Sequence, residues 1–213
     1  MACKATSLLI VDPQEVLWLG MKTLLSCHPW QIIAEADDGR EALGLVKIHR
    51  PNVVILEHCL NSLNGLDLTN LISQEWPDTR IILFTSKISN YLIYDYLRSG
   101  ASGIILKTDD FDDLVTAVSH SLLKRRHFSS SISEFIVKKL SVDSDNQTDA
   151  LTLRERQVAQ LIAEGNMNKK VAYTLGVSSK TIETHRASIM NKLNLVSTAQ
   201  LVRYAVRNNL VAI

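Results

Sequence analysis

Four polar residues stand at the carboxyl ends of short apolar segments in the first part of the chain: Asp12, Glu57, Thr85 and Lys107. The apolar segments have the continuous character of strands that are buried on both faces. In open α/β sheets, ligands and chemistry lie beyond the carboxyl ends of the strands. Two acids, a hydroxyl and an ammonium are therefore expected to meet at one edge of a sheet.

A second group of polar residues lies in the last third of the chain, which is basic. Residues 150–213 contain nine Lys or Arg against three acidic residues, a net charge of +6, and the rest of the chain carries −5. An acidic body with a compact basic end is typical of nucleic-acid binders, although a solvated basic surface gives the same count.

The first 125 residues alternate apolar runs with segments of helical periodicity. This alternation predicts five strands and five helices, and the strands are 7–11, 32–36, 52–56, 80–85 and 103–106. Such alternation indicates βαβ units, which form parallel sheets covered by helices on both faces. We therefore predict that residues 1–125 form an α/β domain with a doubly wound, five-stranded parallel sheet.

The chain changes character after residue 125. The sequence predicts that residues 126–148 form a linker, with one possible helix at 128–140. The linker is predicted because 141–149 contains almost no apolar side chain. Residues 149–213 predict an all-α domain of four helices. Thr152 and Glu155 have the spacing of a capping box, and Gly176 lies between two helices as in a helix-turn-helix unit.

Composition excludes several classes of protein. No apolar run approaches the length of a membrane span, and the first seven residues lack a secretory core, so no membrane association is expected. Three scattered cysteines fit free thiols in a reducing cytoplasm. The sequence has no Ser-His-Asp order, glycine-rich phosphate loop or zinc-type cluster, so neither an enzyme nor a metal site is predicted.

The order Asp12, Glu57, Thr85 and Lys107, with the segment GASG at 100–103 just before the lysine, resembles the CheY-like receiver domain of two-component response regulators. The similarity covers residues 7–125. It implies phosphoryl transfer to an aspartate at the end of the third strand, with Mg²⁺ held by two acids after the first strand. A hydroxyl and a lysine are implied to contact the phosphoryl group, whose charge they help to offset.

Several positions depart from the receiver pattern. Glu57 stands where the acceptor aspartate is expected, Pro13 replaces the second acid after the first strand, and Ile104 replaces the usual aromatic residue of the fifth strand. Because Mg²⁺ requires near-octahedral oxygen geometry, we expect weak or absent Mg²⁺ binding, and no other cofactor. Two interpretations of this degenerate pocket stay open. Glu57 pairs with Lys107 and partly mimics a phosphorylated aspartate, or the pair is structural.

The C-terminal block resembles the LuxR-type helix-turn-helix of the NarL/FixJ response regulators. The matching residues are Leu151, Thr152, Arg154, Glu155, Gly165, Asn168, Lys169, Val177, Ser178, Thr181, Ile182, His185, Ile189, Lys192 and Leu193. The resemblance implies a recognition helix in the major groove of DNA.

The same resemblance implies roles for individual side chains. Glu183 and Thr184, with Ala187 as a further candidate, are implied to contact bases. The residues implied to contact phosphates are Lys169, Lys180, Thr181, Arg186 and Lys192, while His185 touches a phosphate or braces the helix. The last helix is implied to form the DNA-bound dimer through Leu201, Val202 and Ala205.

These patterns together predict a homodimeric, DNA-binding transcription regulator that acts without aspartyl phosphorylation. Its input is a partner protein, a small ligand at the receiver, its own abundance, or dimerisation through the receiver. Two alternatives stay open. The first is a heterodimerising partner that binds DNA weakly alone, and the second is a conventional, phosphorylation-dependent response regulator.

Overall fold

A computed structural model of the chain describes residues 5–140, 151–208 and 210–211. The chain divides into two compact units, Met1–Ser144 and Asp145–Ile213, and each is described by itself. The segment 141–149, predicted to be a flexible linker, lies outside the described residues.

The first unit alternates strands and helices along the chain. Its strands are β1 (Thr6–Val11), β2 (Trp30–Ala36), β3 (Val53–Leu56), β4 (Arg80–Thr85), β5 (Gly103–Leu106) and β6 (His127–Phe128). Its helices are α1 (Glu15–Leu25), α2 (Gly39–His49), α3 (Gly65–Glu75), α4 (Asn90–Arg98), α5 (Phe111–Leu122) and α6 (Ser130–Leu140). All strand pairs are parallel, in the order β2-β1-β3-β4-β5-β6.

The sheet is buried on both faces because successive strand residues point to opposite sides. On one face, Leu9 and Val54 belong to a core completed by side chains from α2, α3, α4 and α6. On the other face, Leu8 and Ile55 belong to a core completed by side chains from α1 and α5. The predicted doubly wound parallel sheet is thus confirmed.

The sheet has one strand more than the five predicted. In β6, the His127 N–H donates to the Ser102 carbonyl at 3.0 Å, and just beyond the strand the Ser129 N–H donates to the Ile104 carbonyl at 3.3 Å. Helix α6 follows at once, and its Ile132 side chain is only 3% exposed within the first core. The part of 126–148 that the structure describes, up to residue 140, therefore belongs to the first unit. A two-residue strand carries too little pattern to be predicted.

The second unit contains four helices among its described residues: α7 (Leu153–Ala163), α8 (Asn168–Leu175), α9 (Ser179–Lys192) and α10 (Thr198–Arg207). The capping box of Thr152 and Glu155 begins α7, as predicted. Gly176 ends α8 with φ +66, a left-handed conformation that suits glycine, and Ser178 then caps α9. Helices α8 and α9 are the predicted helix-turn-helix pair.

No helix in the described part of the chain combines the length and the apolar character that crossing a membrane requires.

We expect Ile132→Ala to destabilise the first unit by about 2–5 kcal/mol, because it removes a buried side chain that joins α6 to the core. Val137→Ala on the same helix is the matched control, since Val137 is 62% exposed and should cost less than about 0.5 kcal/mol. All three tryptophans lie between residues 18 and 76, so urea unfolding followed by tryptophan fluorescence reports on this unit. Equal, small effects of both substitutions would show that α6 adds nothing to the core.

Candidate functional sites

The four polar residues at the sheet edge come together in a buried charge cluster. The Lys107 ammonium lies 2.6 Å from Asp12 Oδ2 and 2.9 Å from Glu57 Oε2. The Thr85 hydroxyl donates a hydrogen bond to Glu57 Oε1. Asp12 is 2% exposed and Glu57 is 6% exposed, so the contacts are shielded from water.

The strand register explains why these residues meet. Val11 lies beside Leu56, Leu56 lies beside Leu83, and Thr85 lies beside Leu106. Each strand therefore ends at nearly the same level, and the polar residue at or just after each end projects into one shared space. Parallel strands place such residues at the same edge of a sheet.

Glu57 is held by its own loop as well as by the cluster. Its Oε1 accepts hydrogen bonds from the backbone N–H groups of His58 at 2.5 Å and Cys59 at 3.4 Å. Its Oε2 accepts from the backbone N–H of Ser86 at 3.4 Å. A Cβ at Gly65 would lie 2.5 Å from the Glu57 carbonyl oxygen, so glycine at this position lets the chain pass close to Glu57.

Asp12 connects the cluster to α1. Its Oδ1 accepts from the backbone N–H of Gln14 at 2.9 Å, and its carbonyl oxygen accepts from Trp18 Nε1 at 2.9 Å. Burial, together with the nearby charge of Glu57, raises the pKa of Asp12 against the opposing contacts with Lys107 and Gln14. The carboxyl is therefore in an environment that disfavours its charge.

Lys107 and Cys59 respond to the same surroundings. Burial lowers the pKa of Lys107, but its hydrogen bonds and charge interactions with Asp12 and Glu57 outweigh burial and leave the pKa raised. Lys107 is therefore a cation at neutral pH. Burial and the charge of Glu57 raise the pKa of the Cys59 thiol to about 11, so this thiol stays protonated and weakly nucleophilic.

The cluster offsets part of its negative charge internally. Within the described ranges, no group of three or more His, Cys, Asp and Glu side chains is placed to hold a metal ion. The cation that faces both carboxylates is the chain's own ammonium, and residue 13 between Asp12 and Gln14 is a proline.

The recognition helix α9 presents a polar face. Ile182 and Ile189 are fully buried in the core of the second unit. The exposed side chains among those implied to contact DNA are Lys169 on α8 and Lys180, Glu183, Thr184, Ala187 and Lys192 on α9. Thr181, His185 and Arg186 are half-buried. The structure thus places the implied base-contacting residues on the open side of the helix.

Two of the implied phosphate contacts are engaged inside the unit. The Lys192 ammonium lies 2.7 Å from Glu155 Oε2, and an Arg186 guanidinium nitrogen donates to the Thr198 hydroxyl. Glu155 is 5% exposed and also accepts from the Ser188 hydroxyl at 2.6 Å. The spacing of Thr152 and Glu155 predicts the helix cap, but no spacing rule connects Glu155 to partners 33 and 37 residues away.

The assignment of Leu201 and Ala205 to a dimer surface is wrong. Both side chains are fully buried in the core of their own unit, so neither can contact a second copy. Val202 remains half-buried on the other side of α10. The apolar periodicity of this helix identifies its buried face but does not tell which protein covers that face.

We expect Lys107→Met to destabilise the first unit by about 3–5 kcal/mol at neutral pH, because two buried carboxylates lose their shared cation. A buried acid with a raised pKa favours the folded state when it is protonated, so the loss should shrink as the pH falls towards 3.8, the ordinary pKa of an aspartate. Urea unfolding followed by tryptophan fluorescence measures this loss of stability. Lys87→Met, at an exposed lysine, is the control. A loss that is the same at every pH would contradict the role given to the carboxylates.

The wild-type second unit should lose stability in acid as Glu155 becomes protonated. Burial opposes the charge of Glu155, but hydrogen bonds from Lys192, Ser188 and Thr152 outweigh burial and lower the pKa from 4.5 to about 2. The carboxylate then contributes up to about 3 kcal/mol above pH 4.5, and this contribution is lost as the pH falls towards 2. Thermal unfolding followed by NMR amide signals of α7 and α9 should show this loss in the wild type and not in Glu155→Gln. Identical acid profiles would rule it out.

Two family descriptions match the chain. Residues 8–119 match the response regulator receiver domain, and residues 149–205 match the bacterial regulatory proteins of the luxR family. The transcriptional regulatory protein LiaR of Bacillus subtilis is 30% identical over 206 residues, which cover 95% of this chain and 98% of LiaR. The oxygen regulatory protein NreC of Staphylococcus epidermidis is 34% identical over 214 residues, covering 96% of this chain and 98% of NreC.

A solved structure of the Salmonella typhimurium response regulator RcsB has the same fold. It matches with a TM-score of 0.68 at 23% sequence identity, over 97% of this chain and 99% of RcsB. The chain therefore belongs to the response regulators that join a receiver domain to a luxR-family helix-turn-helix domain, a family of DNA-binding transcription regulators and not of enzymes.

Proposed function

We propose that this response regulator binds double-stranded DNA as a homodimer and regulates transcription with its receiver fixed in one state, without aspartyl phosphorylation. The observation that carries this conclusion is the buried contact of Lys107 with both Asp12, at 2.6 Å, and Glu57, at 2.9 Å. The pocket in which the family implies a phosphoryl group is occupied by the chain's own charges.

Glu57 already engages the groups that the family implies for the phosphoryl group. The Thr85 hydroxyl donates to one of its oxygens, and the Lys107 ammonium contacts the other. A phosphodonor would have to displace these contacts at a side chain that is 6% exposed. Glu57 thus supplies acceptor oxygens where a phosphorylated aspartate would supply them, at lower charge.

The donor set does not suit Mg²⁺, so weak or absent Mg²⁺ binding is part of this proposal. Mg²⁺ binds oxygen ligands in near-octahedral geometry. Pro13 offers no side-chain oxygen, and the Asp12 oxygens are engaged by Lys107 and by the backbone N–H of Gln14. An ammonium between the two carboxylates also repels a dication.

The second unit supplies the proposed DNA-binding surface. Exposed Lys169 and Lys180 provide charge for phosphates, and exposed Glu183 and Thr184 suit base edges. LiaR, at 30% identity, is named as a transcriptional regulatory protein. Solved structures with the same fold include two RcsB dimers bound to two parallel DNAs, at a TM-score of 0.61 and 22% identity.

The proposed dimer contact uses the open side of α10. Val202 and Val206 are half-buried there, one turn apart, and Ala199 and Arg203 beside them are exposed. A self-complementary contact along this strip would place two recognition helices on two-fold related half-sites. The input is then a partner protein, a small ligand at the receiver or the abundance of the chain. The proposed location is the cytoplasm.

The test is DNA binding by the unphosphorylated, full-length chain, before and after incubation with acetyl phosphate and Mg²⁺. We expect salt-dependent binding to a duplex selected from genomic fragments, two chains per duplex, and a Kd that changes less than about twofold after incubation. Intact-mass spectrometry should find no acid-labile phosphate on the chain.

The control is the double substitution Pro13→Asp with Glu57→Asp, which restores the family's acids. This variant should take up phosphate from acetyl phosphate, and its affinity for DNA should change after the incubation. Phosphate on the wild-type chain, together with a roughly tenfold gain in affinity, would establish conventional phosphorylation-dependent action instead. Binding as one chain per duplex would contradict the homodimer.

A further inference from the structure

The three basic side chains of α9 differ in their surroundings. Lys180, in the first turn, is exposed. Arg186 is half-buried and donates to Thr198 at the start of α10. Lys192, at the last position of the helix, bonds to Glu155 of α7 at 2.7 Å with a side chain that is 40% exposed. Equal charge therefore does not imply an equal role.

Glu155 holds α9 at two points one turn apart. Its Oε1 accepts from the Ser188 hydroxyl at 2.6 Å, and its Oε2 accepts from the Lys192 ammonium at 2.7 Å. The same Oε2 also accepts from the backbone N–H and the hydroxyl of Thr152, each at 2.9 Å, at the start of α7. One carboxylate thus fixes both the rotation and the height of α9 relative to α7.

The two held residues belong to a ridge that also carries the exposed residues. Lys180, Thr184, Ser188 and Lys192 are spaced four apart, so they follow one another along one side of the helix. Lys180 and Thr184 are exposed at the N-terminal half of this ridge. Because the helix is a hydrogen-bonded rod, a rotation at Ser188 and Lys192 would turn Thr184 and Lys180 with it.

Moving Lys192 to a DNA phosphate would leave Glu155 without its cation. Glu155 is only 5% exposed, and a buried carboxylate that loses its partner strongly destabilises a fold. The uncompensated charge would also repel nearby phosphates. The ion pair is therefore expected to persist when DNA is bound.

We propose that Lys192 is not a phosphate contact but, with Glu155, a positioning residue that sets Lys180 and Thr184 against the DNA. This role rests on the proposed DNA binding. It reassigns Lys192 from the phosphate-contacting set implied by the resemblance, and it leaves Lys180 in that set.

The experiment compares full-length Lys192→Met with Lys180→Met, its matched control on the same ridge. The two probes are a duplex selected by the wild-type chain from a random-sequence library and poly(dI-dC) as non-specific DNA. Lys180→Met should lower the slope of log Kobs against log salt concentration by about 0.9, the value of one lost phosphate contact. Lys192→Met should leave the slope unchanged and reduce the selectivity for the selected duplex roughly tenfold, the size of one lost base contact.

Two further measurements separate positioning from folding. Stoichiometric titration gives the active fraction of each variant. A partly unfolded variant binds both DNAs more weakly by the same factor, so the ratio of the two affinities does not change. Glu155→Gln should lose the same selectivity with no decrease in slope. If Lys192→Met does not fold, the double substitution with Glu155→Gln, which removes both charges, should fold and keep the wild-type slope.

The results distinguish failure of this role from failure of the proposed function. The positioning role would be overturned if Lys192→Met, or the double substitution, lowered the slope as much as Lys180→Met does. DNA binding itself would still stand. Unchanged selectivity in Lys192→Met or Glu155→Gln would also overturn it. Absence of salt-dependent binding by the wild-type chain to either duplex would overturn the proposed function, and this role with it.

Discussion

The sharing of one ammonium between two buried carboxylates is the constraint on which the first unit depends. Removing a charge from water costs several kcal/mol, about 3–5 if its partner is missing, so Lys107, Asp12 and Glu57 must stay within reach of one another. They come from the ends of three different strands, β5, β1 and β3. The parallel register that keeps these ends level is therefore an electrostatic requirement as well as a consequence of packing. Thr85, at the end of the strand between β3 and β5, satisfies an oxygen that the ammonium does not reach.

The second unit also has a buried carboxylate that needs a nearby cation, but there the hydrogen bonds to the carboxylate outweigh the effect of burial on its pKa. Glu155 has a cation of its own in Lys192, and hydroxyl and backbone donors complete its shell, so its pKa falls to about 2. Asp12 shares its cation with Glu57, and burial outweighs the hydrogen bonds it receives, so its pKa rises. A fully satisfied carboxylate acts as a rigid brace between two helices. A carboxylate that shares its cation leaves a net negative charge in the core, which makes the cluster sensitive to the loss of either partner.

Local patterns made much of this structure predictable. The first five strands, the capping box at Thr152 and the turn at Gly176 depend on neighbours in the sequence, and all were predicted. The convergence of Asp12, Glu57, Thr85 and Lys107 followed from strand order alone. What could not be predicted depends on tertiary contacts. The apolar pattern of α10 is the same whether Leu201 packs inside its own unit or against another copy. The charge of Lys192 gives no sign of a partner 37 residues away.

A phosphate can be added and removed, whereas a glutamate contributes the same interaction in every molecule. If Glu57 sets the state of the receiver, the free-energy difference between its states is constant, and only a ligand that binds those states unequally can shift it. A carboxylate carries one negative charge where a phosphate carries about 1.5 to 2, so the pocket needs less positive charge to balance it. One ammonium can then offset half of the charge of two carboxylates, a role that Mg²⁺ and a lysine share in a receiver that is phosphorylated. Pro13 and Glu57 are thus physically compatible with the proposed metal-free pocket, because Pro13 offers a metal no side-chain oxygen and Lys107 supplies the cation next to Glu57.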